Sequence, residues 1–179
     1  MNNVMLDLET MGTRPGSVIV SVGAIEFDPK SAQLGRTFYN TCSIQSAVDV
    51  GLAMDPETVT WWLSQSEDAR KELTKAKGDL KSVLTSFAHW VFHCGKDVKL
   101  WGNGSDFDNA LLAEAYRRID QPIPWKFWNN RCYRTMKSLF PGVKLEREGT
   151  HHNALDDAIY QAKHLQLINR EIARCPAAA

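Results

Sequence analysis

The spacing of apolar and polar positions changes period part-way along the chain. Residues 3–9 and 17–27 are near-continuous apolar runs, and a third extended segment covers about 34–42 around Thr37, Phe38 and Tyr39. Asp28-Pro29-Lys30-Ser31 is a turn signal between the last two, so the pattern predicts an antiparallel meander. From Pro56 the spacing becomes helical. Val59, Trp61, Trp62 and Leu63 follow a proline suited to a first turn, and Leu80, Val83, Leu84, Phe87, Trp90 and Val91 mark a second helix over 79–93. A strand over 97–102, a helix over 107–118, a loop or brief strand near 122–128 and a helix over 132–139 come next. A final helix over 153–173 carries Leu155, Ile159, Ala162, Leu165 and Ile168 broadly on one side. Such an order predicts an α/β domain with a mixed central sheet flanked by helices.

Within the first run, Val4-Met5-Leu6-Asp7-Leu8-Glu9-Thr10 strings two carboxylates along a buried strand. Alternate side chains share a face, so Asp7 and Glu9 point together while Leu6 and Leu8 point away. Burying two acids side by side is costly unless a positive charge sits between them, and a divalent metal ion would supply it. Alone, an Asp-x-Glu pair on an edge strand simply faces solvent. Two further segments raise its weight: Asn103-Gly104-Ser105-Asp106-Phe107-Asp108 where a strand meets a helix, and His151-His152-Asn153-Ala154-Leu155-Asp156-Asp157 where a loop enters the last helix. Each acid there also has a simple structural role at a helix N-terminus.

Composition bounds these readings. With 179 residues the chain predicts one domain over 1–175 and a frayed tail at 176–179. A formal net charge of zero argues against tight, sequence-independent coating of nucleic acid and leaves any such contact to a local patch. Arg131, Arg134, Lys137, Lys144 and Arg147 form one candidate patch. Cys42, Cys94, Cys132 and Cys175 are far apart with no Cys-x-x-Cys pair, which suggests reduced structural thiols. The start of the chain is unlike a signal peptide and no apolar run would span a bilayer, so a cytoplasmic protein without membrane contact is expected.

Together and in this order, the segments resemble the DEDDh branch of the DnaQ-like 3′→5′ exonucleases, in the ribonuclease H-like superfamily. Asp7, Glu9, Thr10 and Gly12 match the first motif; Asn103, Phe107 and Asp108 the second; His152, Ala154 and Asp157 the third. In the second motif Asp106 competes with Asp108, and the Phe-Asp pair with Leu111 and Leu112 favours Asp108. The spacing to Ala154 and Asp157 selects His152 over His151 and Asp157 over Asp156. Asp55-Pro56-Glu57-Thr58 with the tandem tryptophans, and Trp101-Gly102-Asn103-Gly104, look like a phage and bacterial subgroup that includes small phage exodeoxyribonucleases and a mycobacterial exoribonuclease.

The resemblance implies a ribonuclease H-like fold and a metal-dependent hydrolase releasing nucleoside 5′-monophosphates from DNA 3′ ends, with RNA as the competing substrate. It implies two divalent ions, Mg2+ or Mn2+, held by Asp7, Glu9, Asp108 and Asp157, with His152 as general base. Thr10, Met11, Gly12, Asn103 and Phe107 are the implied substrate contacts, and Trp61 a candidate base-stacking wall. Relatives are commonly homodimers, which makes self-association an expectation. A catalytically inactive nucleic-acid-binding module on the same fold is the reading from a different class, and the presence of all four acids and the histidine speaks against it.

Overall fold

The computed structural model describes residues 1–75 and 78–174. Strands β1 (Asn3–Thr10), β2 (Ile19–Phe27) and β3 (Leu34–Thr41) form the expected meander, and β4 (Lys99–Gly102) and β5 (Asn130–Cys132) extend the sheet beyond β1. The order is β3-β2-β1-β4-β5, antiparallel across β1–β2 and β2–β3, parallel across β1–β4 and β4–β5. The helices among the described residues are α1 (Ile44–Asp49), α2 (Pro56–Leu63), α3 (Glu67–Thr74), α4 (Leu80–His93), α5 (Asp108–Arg118), α6 (Tyr133–Leu139) and α7 (Ala154–Arg174).

β1 is central and covered on both faces, which is why its sequence reads as a nearly unbroken apolar run. Val4, Leu6 and Leu8 enter the larger core with Leu84 and Phe87 of α4 and Leu111 and Leu112 of α5. Met5 faces the opposite layer with Ile25, Phe27 and α7's Ala158, Ala162 and Leu165. Asp7 and Glu9 continue the Met5 face toward the C-terminal end of β1.

Two glycines let helices approach that end. Gly23 pairs with Asp7 across the ladder, and a Cβ there would lie 2.2 Å from the Ala154 carbonyl carbon. Any side chain would push the start of α7 off the sheet. A Cβ at Gly102 would lie 2.4 Å from Asn109 Oδ1, so the same logic seats the start of α5. The end of β1 is thereby clasped by two helix N-termini.

Helix boundaries follow their caps. The Asp55 side chain accepts from the Glu57 N–H ahead of α2, and Asp79 accepts from the Ser82 N–H ahead of α4. The hydrophobic pattern does not predict α1 and α3. Six-residue α1 is too short to show a period and rests on its Ser43 cap and buried Ala47. Mostly charged α3 is tied down by the Ser66 cap and Ala69. The loop or brief strand expected near 122–128 is irregular as far as a 3-10 turn at Phe127–Asn129, and the short strand β5 follows it. Cys42 and Cys94 are buried and Cys132 is half-buried. The expected tail at 176–179, the domain boundary at 175 and Cys175 lie outside the described residues. No helix among the described residues is long and apolar enough to cross a membrane.

Candidate active site

A cleft of about 700 Å³ opens at the end of β1, and its wall includes Asp7, Glu9, Thr10, Trp61, Asn103, Phe107, His152 and Asp157. Three stretches far apart in the chain therefore meet there. Asp7 and Glu9 come from β1, Asp108 from the first turn of α5 just behind the wall, and Asp157 from the first turn of α7.

The floor is crowded with negative charge. Asp108 is 1 % exposed, and its carboxylate accepts from the N–H of Leu8 (3.2 Å) and of Asn103 (2.7 Å). Burial pushes its pKa up to about 7 despite those two donors. Asp7 accepts from Gln161 Nε2 at 2.7 Å. Its pKa is raised well above the ordinary carboxylate range, first by burial and then by the charges of Asp108 and Glu9. The amide oxygen of Gln161, Oε1, is buried without a hydrogen-bond partner.

The rim is organised differently. His152 sits in the left-handed region at φ 62°, a conformation rarely adopted by a residue other than glycine. Its backbone N–H donates to Asp157 Oδ2 at 3.1 Å, tying the two residues together. The imidazole lies edge-to-face against Trp61, with ring centroids 4.9 Å apart. Burial, and then the nearby charges of His151 and Arg147, lower its pKa below the ordinary value. The Arg147 guanidinium forms an ion pair with Asp157 Oδ1 and lies over the Tyr160 ring.

The choices left within the motifs sort themselves by burial. Asp106 is exposed and away from the cleft, whereas Asp108 lies behind its floor. Asp156 accepts from the Thr150 N–H at 2.8 Å and holds the preceding loop, leaving Asp157 to face the cleft. The tryptophans also divide. Trp62 is 2 % exposed and donates its Nε1–H to the Thr10 carbonyl at 2.9 Å, while Trp61 is 43 % exposed on the wall.

Met11 and Gly12 are not brought to the wall. The Met11 side chain is in the core, its N–H donates to the Val18 carbonyl (2.8 Å), and its own carbonyl accepts from the Asp55 N–H (2.7 Å). The Gly12 carbonyl accepts from Thr10 Oγ1 at 2.7 Å. Of two further groups at the site, Gln161 went unread in the sequence and Arg147 was read only as part of the basic patch. Gln161 lies one turn after Asp157 on the same face of α7, a spacing that marks it. Arg147 is in an irregular loop, where no periodicity signals its partner.

These residues fit a divalent cation. Ligand atoms of Glu9, His152 and Asp157 all lie within 4.8 Å of one another. Asp7, half-buried at the cleft, and the fully buried Asp108 add two carboxylates whose mutual repulsion a cation would relieve, and a donor set dominated by carboxylate oxygens suits a hard ion.

A family model described as a 3′-5′ exoribonuclease Rv2179c-like domain matches residues 2–169. The chain is also similar to the exodeoxyribonuclease of Enterobacteria phage T4, at 25% identity over 160 residues, 75% of this chain and 70% of the phage protein. Similar solved structures include the nuclease domain of 3′hExo, a DEDDh family member bound to rAMP, with TM-score 0.58 and 13% identity over 96% of this chain and 91% of that one. Exonuclease X in complex with 5′ overhanging duplex DNA gives TM-score 0.56 and 15% identity over 98% and 95% of the two chains. The E. coli ExoI–ssDNA complex gives TM-score 0.68 and 16% identity over 96% of this chain and 41% of that one, so the chain spans about two-fifths of ExoI. At such identities the likeness is one of fold, the ribonuclease H-like architecture expected from the sequence. The family match runs from the first residues of β1 nearly to the end of α7, and the chain belongs to the Rv2179c-like 3′-5′ exoribonuclease domain family.

Proposed function

We propose that the protein is a metal-dependent 3′→5′ exonuclease that hydrolyses phosphodiester bonds at DNA 3′ ends and releases nucleoside 5′-monophosphates. The observation that carries this reading is the convergence of Asp7, Glu9 and Asp157 with His152 in one cleft, with Asp108 buried directly behind.

Asp7, Glu9, Asp108 and Asp157 would hold two divalent ions, Mg2+ or Mn2+. When bound, these ions supply Lewis acidity to the phosphate oxygens and make water a better nucleophile. His152 takes the proton from the attacking water as the bond to the leaving 3′-oxygen breaks. Its lowered pKa keeps the imidazole neutral, the form a general base needs. Gln161 fixes the orientation of the Asp7 carboxylate, and the backbone N–H groups of Leu8 and Asn103 fix that of Asp108. Trp61 and Phe107 offer apolar faces against which a terminal base stacks, while Thr10 and Asn103 offer polar groups.

RNA is the second reading, favoured by the description of the family, whereas the phage relative is named for DNA. A time course on matched 5′-labelled single-stranded DNA and RNA oligonucleotides, with Mg2+ or Mn2+ and an Asp7→Asn control, tests both. The expected result is a ladder shortening from the 3′ end, absent in the control, and faster on DNA. A faster RNA ladder selects the second reading, and binding without cleavage of either would leave an inactive nucleic-acid-binding module.

A further inference from the structure

The five cations singled out in the sequence do not act as one patch. Arg147 is turned onto Asp157, and Arg131 donates to the carbonyls of Trp128 and Asn130. The other three, Arg134, Lys137 and Lys144, line a second cavity of about 580 Å³ between α6 and the chain that follows it. That volume is within the range of about 300–1,000 Å³ common for ligand pockets. No carboxylate lines this cavity. No salt bridge among the described residues uses any of the three cations, whereas Arg117, Arg118, Lys126 and Lys163 are each paired. Gathering like charges around a concavity is unfavourable without an anion to complement them, and here only Arg134 is partly offset, through space, by Asp108.

The cavity adjoins the cleft and shares Asn103, Lys137 and Tyr160 with it. Another depression that adjoins the cleft, at Thr13, is lined by Asp55 and Glu57 against a single cation, Arg14, and is less favourable to a phosphate chain. His164, on the cavity wall, is held between the Tyr133 hydroxyl (2.7 Å) and the Val143 carbonyl (2.9 Å), which fixes its ring against the segment after α6.

We infer that this cavity seats the phosphates on the 5′ side of the bond being cleaved, so that the preferred substrate is an oligonucleotide of several residues and not a dinucleotide. The inference rests on the exonuclease reading, because a cleft that takes a 3′ terminus leaves the rest of the strand to exit somewhere. Of the depressions that share residues with the cleft, the one at Thr13 has two acids to one cation and the one at Leu145 has Glu146 and Glu148 to Lys163, whereas this one has three cations and no acid.

The test is fluorescence anisotropy with 5′-labelled DNA of two, four and eight nucleotides, with Ca2+ replacing Mg2+, on the wild type and on Arg134→Gln/Lys144→Gln. The wild type should bind the octamer at least about tenfold more tightly than the dinucleotide, and the double variant should lose most of that ratio. Its salt slope should fall by about 1.4, from about 0.7 per single-strand phosphate contact. Circular dichroism checks its folding, and Lys144→Glu alone, at an exposed position, should show a smaller loss in the same direction. A length ratio near one in the wild type, or the same ratio in both proteins, would overturn the inference. Nucleotide release by the wild type with Mg2+ is scored separately. Length-dependent binding without release would refute the exonuclease reading and leave the cavity assignment standing, and release without length dependence would do the reverse.

Discussion

The floor and the rim of the cleft hold acids in opposite ways. On the floor, Asp7 and Asp108 are desolvated, positioned by a side-chain amide and backbone N–H groups, and raised in pKa by burial, with their mutual repulsion adding to the rise at Asp7. On the rim, Asp157 is balanced by a guanidinium and by the backbone of a histidine held at positive φ. The floor thus stores an electrostatic penalty in a rigid frame that a cation relieves. The rim carries its own counter-charge on an irregular loop, and that charge has to be shared once another cation arrives.

Removing a floor carboxylate should give the largest effect. Asp7→Asn is expected to lower kcat by about 10³-fold or more, consistent with loss of several kcal/mol of charge stabilisation. Because the same change removes a buried like charge, the metal-free variant should melt higher than the metal-free wild type at pH 8. A lower melting temperature would mean that the floor is not strained. His152→Ala separates rim chemistry from metal binding: kcat should fall by about 10²-fold or more while Mn2+ affinity, measured by calorimetry, stays within a few-fold. Equal loss of both would make His152 a ligand and not the base.

Arg147→Met keeps the length of the side chain and removes its charge. If the guanidinium competes for Asp157, Mn2+ affinity without nucleic acid should rise several-fold, and unchanged affinity would show that the ion pair and the metal do not compete. The smallest effect concerns pH. Asp108 holds its proton up to about pH 7 in the folded chain but loses it near 3.8 when unfolded, so between these values the native state binds more protons. This group's stabilising contribution is present in full below about pH 4 and is lost as pH rises through 7. Metal-free protein should therefore lose a few degrees of melting temperature from this source between pH 5 and 8, and Mg2+ should restore more at pH 8 than at pH 5. A Mg2+ shift independent of pH would remove the floor acids as its origin.

Much of this was legible in the sequence because it is local. The period-2 run places Asp7 and Glu9 on one face, and the turn signals and helical spacing place β1 to β4 and α2, α4, α5, α6 and α7 within two residues of their ends. α1 and α3 were not legible, since one is too short for a period and the other lacks an apolar stripe. The Phe-Asp pair with Leu111 and Leu112 favoured Asp108 over Asp106, but the physical reason appears only in space: Asp108 turns inward against the backbone of Leu8, a hundred positions away in the chain.

By itself, then, the sequence determined which residue types meet, in what order and on which elements, because strand and helix periods are properties of neighbouring residues. Tertiary structure decided how each charge is compensated. Gly23 and Gly102 admit α7 and α5 to the end of β1, Gln161 reaches back to Asp7, Arg147 leaves the basic patch for Asp157, and Arg134, Lys137 and Lys144 remain around an acid-free cavity. Electrostatic energy depends on distance and burial through space, and neither is carried by the spacing of residues along the chain.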